Sequence, residues 1–232
     1  MVAGENEIYG GLRHNITPVV EDYLKAIYTL RQVSDGDPVR TLTLAERLGV
    51  KPPTVTAMLK TLAELKLINY EPYRGVELTR LGEQIALEIV RHHRLIESFL
   101  VKALGYSWDE VHDEAEVLEH FISEKLEARI AAFLGDPTHD PHGDPIPARD
   151  GSIFDYPTAT LAELPESMVG RVTRVVDQDP PRLRYLADLG IVPGAQVEML
   201  TKAPFEGPVT VQVEKQTQIL DRRLAATIIV EE

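Results

Sequence analysis

Residues 41–68 read TLTLAERLGVKPPTVTAMLKTLAELKLI. The apolar spacing predicts a short helix from Thr43 to Leu48, a tight turn at Gly49, and a second helix that opens at Pro52 or Pro53, where a fixed φ suits the first turn. In the second helix Val55, Met58, Leu59, Leu62 and Leu65 share one face, which leaves Pro53, Thr54, Ala57, Lys60 and Thr61 on the other. Two short helices joined by a glycine turn make a helix-turn-helix. Taken alone, that pattern fits three helices that merely pack as well as it fits a DNA reader.

The flanks favour the reader. Upstream, Thr17 and Pro18 start a helix in which Val20, Tyr23, Leu24, Ile27 and Leu30 recur at helical spacing, until the stretch from Ser34 to Pro38 breaks it. Downstream, INYEPYRGVELT (68–79) has β-favouring residues on both sides of Pro72-Tyr73-Arg74-Gly75 and reads as a hairpin, the wing of a winged helix. Candidate DNA contacts are Lys51, Pro53, Thr54, Thr56, Ala57 and Lys60 around the second helix, with Tyr73 and Arg74 on the wing. The outward face lacks Arg, Asn and Gln, so bidentate base contacts are few, and specificity would lean on thymine methyls and DNA shape.

Charge supports the same division of labour. The 232 residues carry a net charge of -13, which by itself opposes a phosphate-rich partner. Its distribution is uneven, with +3 from Arg40 to Arg80 and -9 over residues 81–145. A mildly basic front beside an acidic middle implies two tasks. No apolar run approaches the ~20 residues of a spanning helix, and the start MVAGENEIYGG has neither a basic nor an apolar leader region. The expectation is a cytoplasmic protein without a membrane partner. The absence of cysteine excludes disulfides, thiolate zinc sites and cysteine nucleophiles. No GxSxG, HExxH or phosphate-binding glycine loop is present, and an enzyme is not expected.

The acidic middle predicts helices at about 81–104, 108–121 and 124–134, followed by an irregular stretch, DPTHDPHGDPIPARDG (136–151). In HDEAEVLEH (112–120), His112, Glu116 and Glu119 fall along one helical face with His120 at its edge, and in HHRLIE (92–97) His93 and Glu97 are again four apart. One such pair reads as a solvated acidic face with an incidental histidine. Two on successive helices point to a divalent cation between them, and imidazole with oxygen but no sulfur favours Mn²⁺ or Fe²⁺. His139 and His142 could also be ligands, but the Pro-rich connection favours reading them as surface residues, and Tyr106, Trp108 and Phe121 as core or interface aromatics. From about Met168 the runs RVTRVV, AQVEML, VTVQVE and ATIIVEE describe a small β barrel.

The order of winged helix, HHRLIE, VHDEAEVLEH, DPHGDPIP and small barrel resembles the diphtheria-toxin-repressor family of metal-dependent transcription regulators. The resemblance covers nearly the whole chain. It implies a mainly α fold with a small β domain: a winged helix-turn-helix at 1–80, a helical metal-binding and dimerisation domain at 81–145, a linker at 146–165 and an SH3-like, FeoA-like barrel at 166–232. It also implies a primary metal site of Asp22, Glu116, Glu119 and His120, and an ancillary site of His93, Glu97 and His112 to which Asp179 of the barrel could contribute. Carboxylates stand at 22 and 116, where the iron-responsive members carry Met and Cys, so the likeness is to the manganese-responsive branch. A further carboxylate of that branch's first helix is replaced here by Lys25. The expected function is a homodimeric regulator, a repressor, that binds a double-stranded operator when Mn²⁺ is present. An Fe²⁺-responsive regulator and, from another class, a metal-dependent hydrolase are the alternatives.

Overall fold

The computed structural model describes residues 16–34, 36–153 and 158–231. The N-terminal stretch discussed above and part of the expected linker lie outside the described residues. Two compact units divide between Arg91 and His92.

The first unit opens with α1 (Pro18–Val33), capped where the Thr17 hydroxyl accepts the amide of Val20 at 3.4 Å. Val20, Tyr23, Leu24 and Ile27 are buried, as their spacing predicts. Next come α2 (Thr41–Leu48) and α3 (Pro52–Glu64), and the turn between them is set by Gly49 in the left-handed region at φ 64°. Helix α2 begins two residues earlier than expected. On α3, Val55, Leu59 and Leu62 are fully buried while Lys51, Pro53, Thr54, Ala57 and Lys60 are exposed. Strands β1 (Ile68–Glu71) and β2 (Gly75–Leu78) pair antiparallel, from Ile68 opposite Leu78 to Glu71 opposite Gly75. Tyr73 sits at the hairpin tip with φ 68° and its side chain wholly in solvent.

Helix α4 (Arg80–Phe99) runs from the first unit into the second, and a π-helical turn, Leu100–Leu104, carries it to Gly105. The expected helix from Trp108 is shorter than its periodicity suggested: α5 spans Val111–Leu118, with Glu119 as its C-terminal cap. Then α6 (Glu124–Leu134) starts at Ser123, whose hydroxyl accepts the Leu126 amide at 3.3 Å. Leu95, Ile130, Ala131, Leu134 and Ile146 form one core of this helical part, and Ile96, Leu100, Val111 and Ala115 another.

The remainder is a five-stranded antiparallel sheet in the order β6-β5-β4-β3-β7. Its elements are β3 (Val169–Val175), α7 (Pro180–Asp188), β4 (Gln196–Lys202), β5 (Val209–Val213), β6 (Gln216–Leu220), α8 (Arg222–Ala225) and β7 (Ile228–Glu231). Register shifts between Val172 and Arg174, and between Met199 and Thr201, bend the sheet toward a barrel. Alternation along β5 buries Val209, Val211 and Val213 in a core that includes Val172, Leu183, Leu186 and Met199. Helix α7, absent from the strand-by-strand reading of the sequence, contributes two of those residues. Trp108 of the helical part packs against this same core.

Candidate metal centre

Helix α4 carries His93 and Glu97 one turn apart, and α5 carries His112 and Glu116, with Glu119 at its end. The second unit brings these two helices together through His93. One ring nitrogen, Nδ1, lies 2.5 Å from Glu119 Oε2, and the other, Nε2, lies 2.9 Å from Glu97 Oε1 and 3.2 Å from His112 Nδ1. Glu116 Oε1 stands 3.6 Å from His112 Nε2 and 3.8 Å from His93 Nδ1. His120 Nε2 is 3.7 Å from the other oxygen of Glu119. Of the residues that the resemblance sorts into two sites, His93 is shared: it groups with Glu97 and His112 on one side and with Glu116 and Glu119 on the other. His93, Glu97 and Glu119 are buried. Carboxylate oxygens and imidazole nitrogens at these separations suit a hard divalent cation, and buried carboxylates in such number demand compensation.

His92, the neighbour of His93, is buried too and places Nδ1 3.3 Å from the carbonyl oxygen of Glu119, holding the end of α5 against α4. Asp22 lies on α1, in the first unit. Asp179 caps α7, exposed, with its carboxylate 3.9 Å from Arg182 Nε. It is not among the grouped donors of the described residues.

The surface reading of His142 is wrong. Its side chain is fully buried, with Nε2 2.7 Å from the carbonyl oxygen of Trp108 and the ring stacked on the Trp108 indole at 5.8 Å between centroids. His139, by contrast, is exposed. His142 joins Glu97 and Asp140 in a further group whose donors lie within 4.8 Å of one another. Asp140 Oδ1 accepts the amides of His142 and Asp144 at 2.8 and 2.9 Å, which shapes the loop as an Asx turn. Asp140 Oδ2, Glu97 Oε2 and His142 Nδ1 have no hydrogen-bond partner among the described residues. His142 Nδ1 lies 3.6 Å from Glu97 Oε2 and 4.0 Å from Asp140 Oδ1, and Arg94 Nε lies 3.7 Å from Asp140 Oδ2, so these buried donors, close but not hydrogen-bonded through these atoms, form a candidate cradle for a cation. The sequence signal for it was local: an Asp-x-His pair in DPHGDPIP, next to a loop turn.

Electrostatics follow from this crowding. Burial, then the negative charges of Asp144 and Glu97, push the Asp140 carboxyl up to about 8. Burial opposes charging of His142, yet the nearby Glu97 carboxylate 3.6 Å away and the charge of Asp140 prevail and push it up to about 9. Glu97 is held well below the usual carboxylate range: burial works against this, and the His93 charge, with the close approach of the His112 and His142 rings and the hydrogen bond to His93, outweighs it. Near pH 7 the cradle therefore holds protons that a cation would displace.

The second unit also exposes large apolar side chains: Leu104 on the π-helical turn, Val117 and Leu118 on α5, Phe121 after it, and Leu126 and Phe133 on α6. Among the described residues no helix is long and apolar enough to cross a membrane.

Comparison with known proteins agrees with this layout. Sequence profiles match in succession: an iron-dependent repressor N-terminal DNA-binding domain over 15–76, an iron-dependent repressor metal-binding and dimerisation domain over 79–148, and a FeoA domain over 159–232. The iron-dependent repressor IdeR of Mycobacterium leprae is 34% identical over 200 residues, spanning 81% of this chain and 86% of that one. The diphtheria toxin repressor of Corynebacterium jeikeium is 31% identical over 195 residues, 82% of this chain and 80% of that one. Among solved structures, a manganese-dependent transcriptional repressor in complex with manganese is 44% identical with a TM-score of 0.83, over 91% of this chain and 98% of that one. ScaR with bound Cd²⁺ is 34% identical with a TM-score of 0.77, over 92% and 99%.

Proposed function

Because the chain belongs to the iron-dependent repressor family, whose members are DNA-binding, metal-dependent transcriptional repressors rather than hydrolases, we propose that it is a manganese-dependent repressor acting as a homodimer in the cytoplasm. The observation that carries the choice of ion is the pair of carboxylates Asp22 and Glu116, at the positions where the resemblance puts Met and Cys in iron-responsive members, in a protein without cysteine. The manganese-bound relative, at 44% identity, supports it.

In this reading Asp22, Glu116, Glu119 and His120 hold the primary ion, and His93, Glu97 and His112 the ancillary one, with Asp140 and His142 as further donors to Glu97's side. Bound Mn²⁺ supplies positive charge that relieves the repulsion of these carboxylates. Asp22 belongs to α1 and the other ligands to the second unit. His92 keeps Glu119 in register through its backbone. Lys51, Thr54, Thr56 and Lys60, with the apolar Pro53 and Ala57, face the major groove, and Tyr73 and Arg74 lie along the backbone. The apolar side chains on α5 and α6 pair two copies and space two recognition helices about 34 Å apart for successive major grooves. A shift from mostly inactive to mostly active takes about 5.5 kcal/mol of differential ion affinity.

Binding of the chain to its own promoter region, followed by fluorescence anisotropy, tests this. Tight binding is expected with Mn²⁺ and its loss with chelator, and Asp22→Ala with Glu119→Ala should remove the response. Equal affinity under both conditions overturns the proposal. A second reading, Fe²⁺ as the signal, is favoured by the iron-dependent repressor IdeR of Mycobacterium leprae at 34% identity. Competitive titration of the two ions against operator occupancy separates them.

A further inference from the structure

We infer that Arg174 and Gln178, in the C-terminal barrel, are positioning residues for the Glu97–Asp140–His142 cradle, and that they act through Asp144. The inference rests on the reading of that cradle as a cation site.

Two of the three cradle donors ride on one loop, and the loop is held from the barrel side. The His142 carbonyl accepts the amide of Val175 at 2.8 Å. Gly143, at φ +86°, lies so close to β3 that a Cβ there would sit 2.7 Å from the Arg174 Cα. Asp144 is 4% exposed, and one oxygen of its carboxylate accepts a hydrogen bond from Gln178 Nε2 at 2.7 Å while the other is ion-paired with the Arg174 guanidinium at 2.6 Å. The helical side offers Arg94, which donates to the Pro145 carbonyl, but its guanidinium nitrogens are 3.7 Å from Asp140 and 3.8 Å from Asp144.

Glu97, Asp140 and Asp144 are three carboxyl groups in one buried region, and Arg174 is the closest cation to Asp144 among the ion pairs of the described residues. Without it, the Asp144 carboxylate would keep only Gln178 and the more distant Arg94 and would be drawn toward water. The loop would swing outward with it, because the Asp144 amide is bonded to Asp140 Oδ1 and the His142 amide shares that same oxygen. Asp140 and His142 would then leave Glu97. Residues with no atom on the ion thus set how well it is held, and the barrel becomes part of the metal-sensing apparatus through side chains that are not ligands. Outer partners of this kind typically change metal affinity 10–100-fold.

The test is Mn²⁺ titration calorimetry on the full chain, with emission of the sole tryptophan, Trp108, stacked on His142, as an optical readout. Asp140→Asn identifies the binding event that belongs to the cradle. Arg174→Gln should weaken that event about tenfold and leave other Mn²⁺ binding unchanged, a selectivity that general loosening of the fold does not produce. Arg174→Lys, which keeps the charge, should recover part of the loss. Gln178→Met, which removes one hydrogen bond and no charge, should weaken the same event by less and serves if Arg174→Gln folds poorly. Wild-type affinity in both Arg174→Gln and Gln178→Met, while Asp140→Asn loses the event, overturns the positioning role and leaves the cradle standing. Wild-type binding in Asp140→Asn overturns the cradle and the inference together.

Discussion

Replacing Gly143 with alanine should separate the barrel from the loop it grips. The residue has φ +86°, and the added methyl would fall inside the contact distance of the Thr173 carbonyl oxygen as well as 2.7 Å from Arg174 Cα, all of it backbone that cannot rotate away. The left-handed conformation alone costs a non-glycine residue about 1 kcal/mol. Relief of the clash then breaks the 2.8 Å bond from the Val175 amide to the His142 carbonyl, worth about 1 kcal/mol, and pulls Asp144 from Arg174, worth about 1 kcal/mol more. A total of about 3 kcal/mol lowers the melting temperature of a unit this size by roughly 6–12 °C. Gly105 provides the control: its φ is +75°, but a Cβ there meets nothing within 4 Å, so Gly105→Ala carries the conformational cost alone and should lose roughly 2–4 °C. Thermal unfolding by circular dichroism at fixed protein concentration, with Trp108 emission recorded in parallel, reads both variants. Equal melting of the two, with unchanged emission, would show that the loop relaxes without moving β3, and the account of how the barrel grips it would fail.

Cation binding in the cradle should strengthen with pH. His142 and Asp140, pushed up to about 9 and about 8, must shed protons to ligate. Affinity should therefore climb steeply below pH 8, less steeply from 8 to 9, and level off above; calorimetry showing a flat affinity between pH 6.5 and 7.5 would contradict this. Lys60→Ala removes one phosphate contact from the outward face of α3, so it should weaken operator binding similarly across sequences and lower the salt slope by about 1. An unchanged slope removes Lys60 from the interface. Phe121→Glu places a charge where 76% of a phenylalanine side chain is exposed on each copy, and sedimentation should show dimerisation weakened by at least about 100-fold if that ring is covered in the dimer.

How far the sequence reached depended on what kind of order each segment has. Helix α3 and its wing were legible because their apolar spacing, their proline and glycine stops and their hairpin turn are local properties. The helical phases of His93 with Glu97, and of His112 with Glu116 and Glu119, were legible for the same reason. The shortening of α5 to Val111–Leu118 was not, since tertiary packing decides where a weakly capped helix ends. Helix α7 was hidden among strand-like neighbours, a nine-residue element between two β runs.

Composition and spacing determined which chemistry is available: oxygen and nitrogen donors without thiolate, on helices whose turns stack them in pairs, behind a reading head of the winged type. The tertiary structure alone decided which donors meet. Two helices each present their ligands correctly whatever their separation, and only the packing of α4 on α5 lets His93 face Glu119 with one nitrogen and Glu97 with the other. The loop from Asp140 to Ile146 has no period from which a side-chain direction could be read. Its directions come from the Asx turn at Asp140 and from the barrel strand against Gly143, and they turn His142 from an expected surface residue into a buried one.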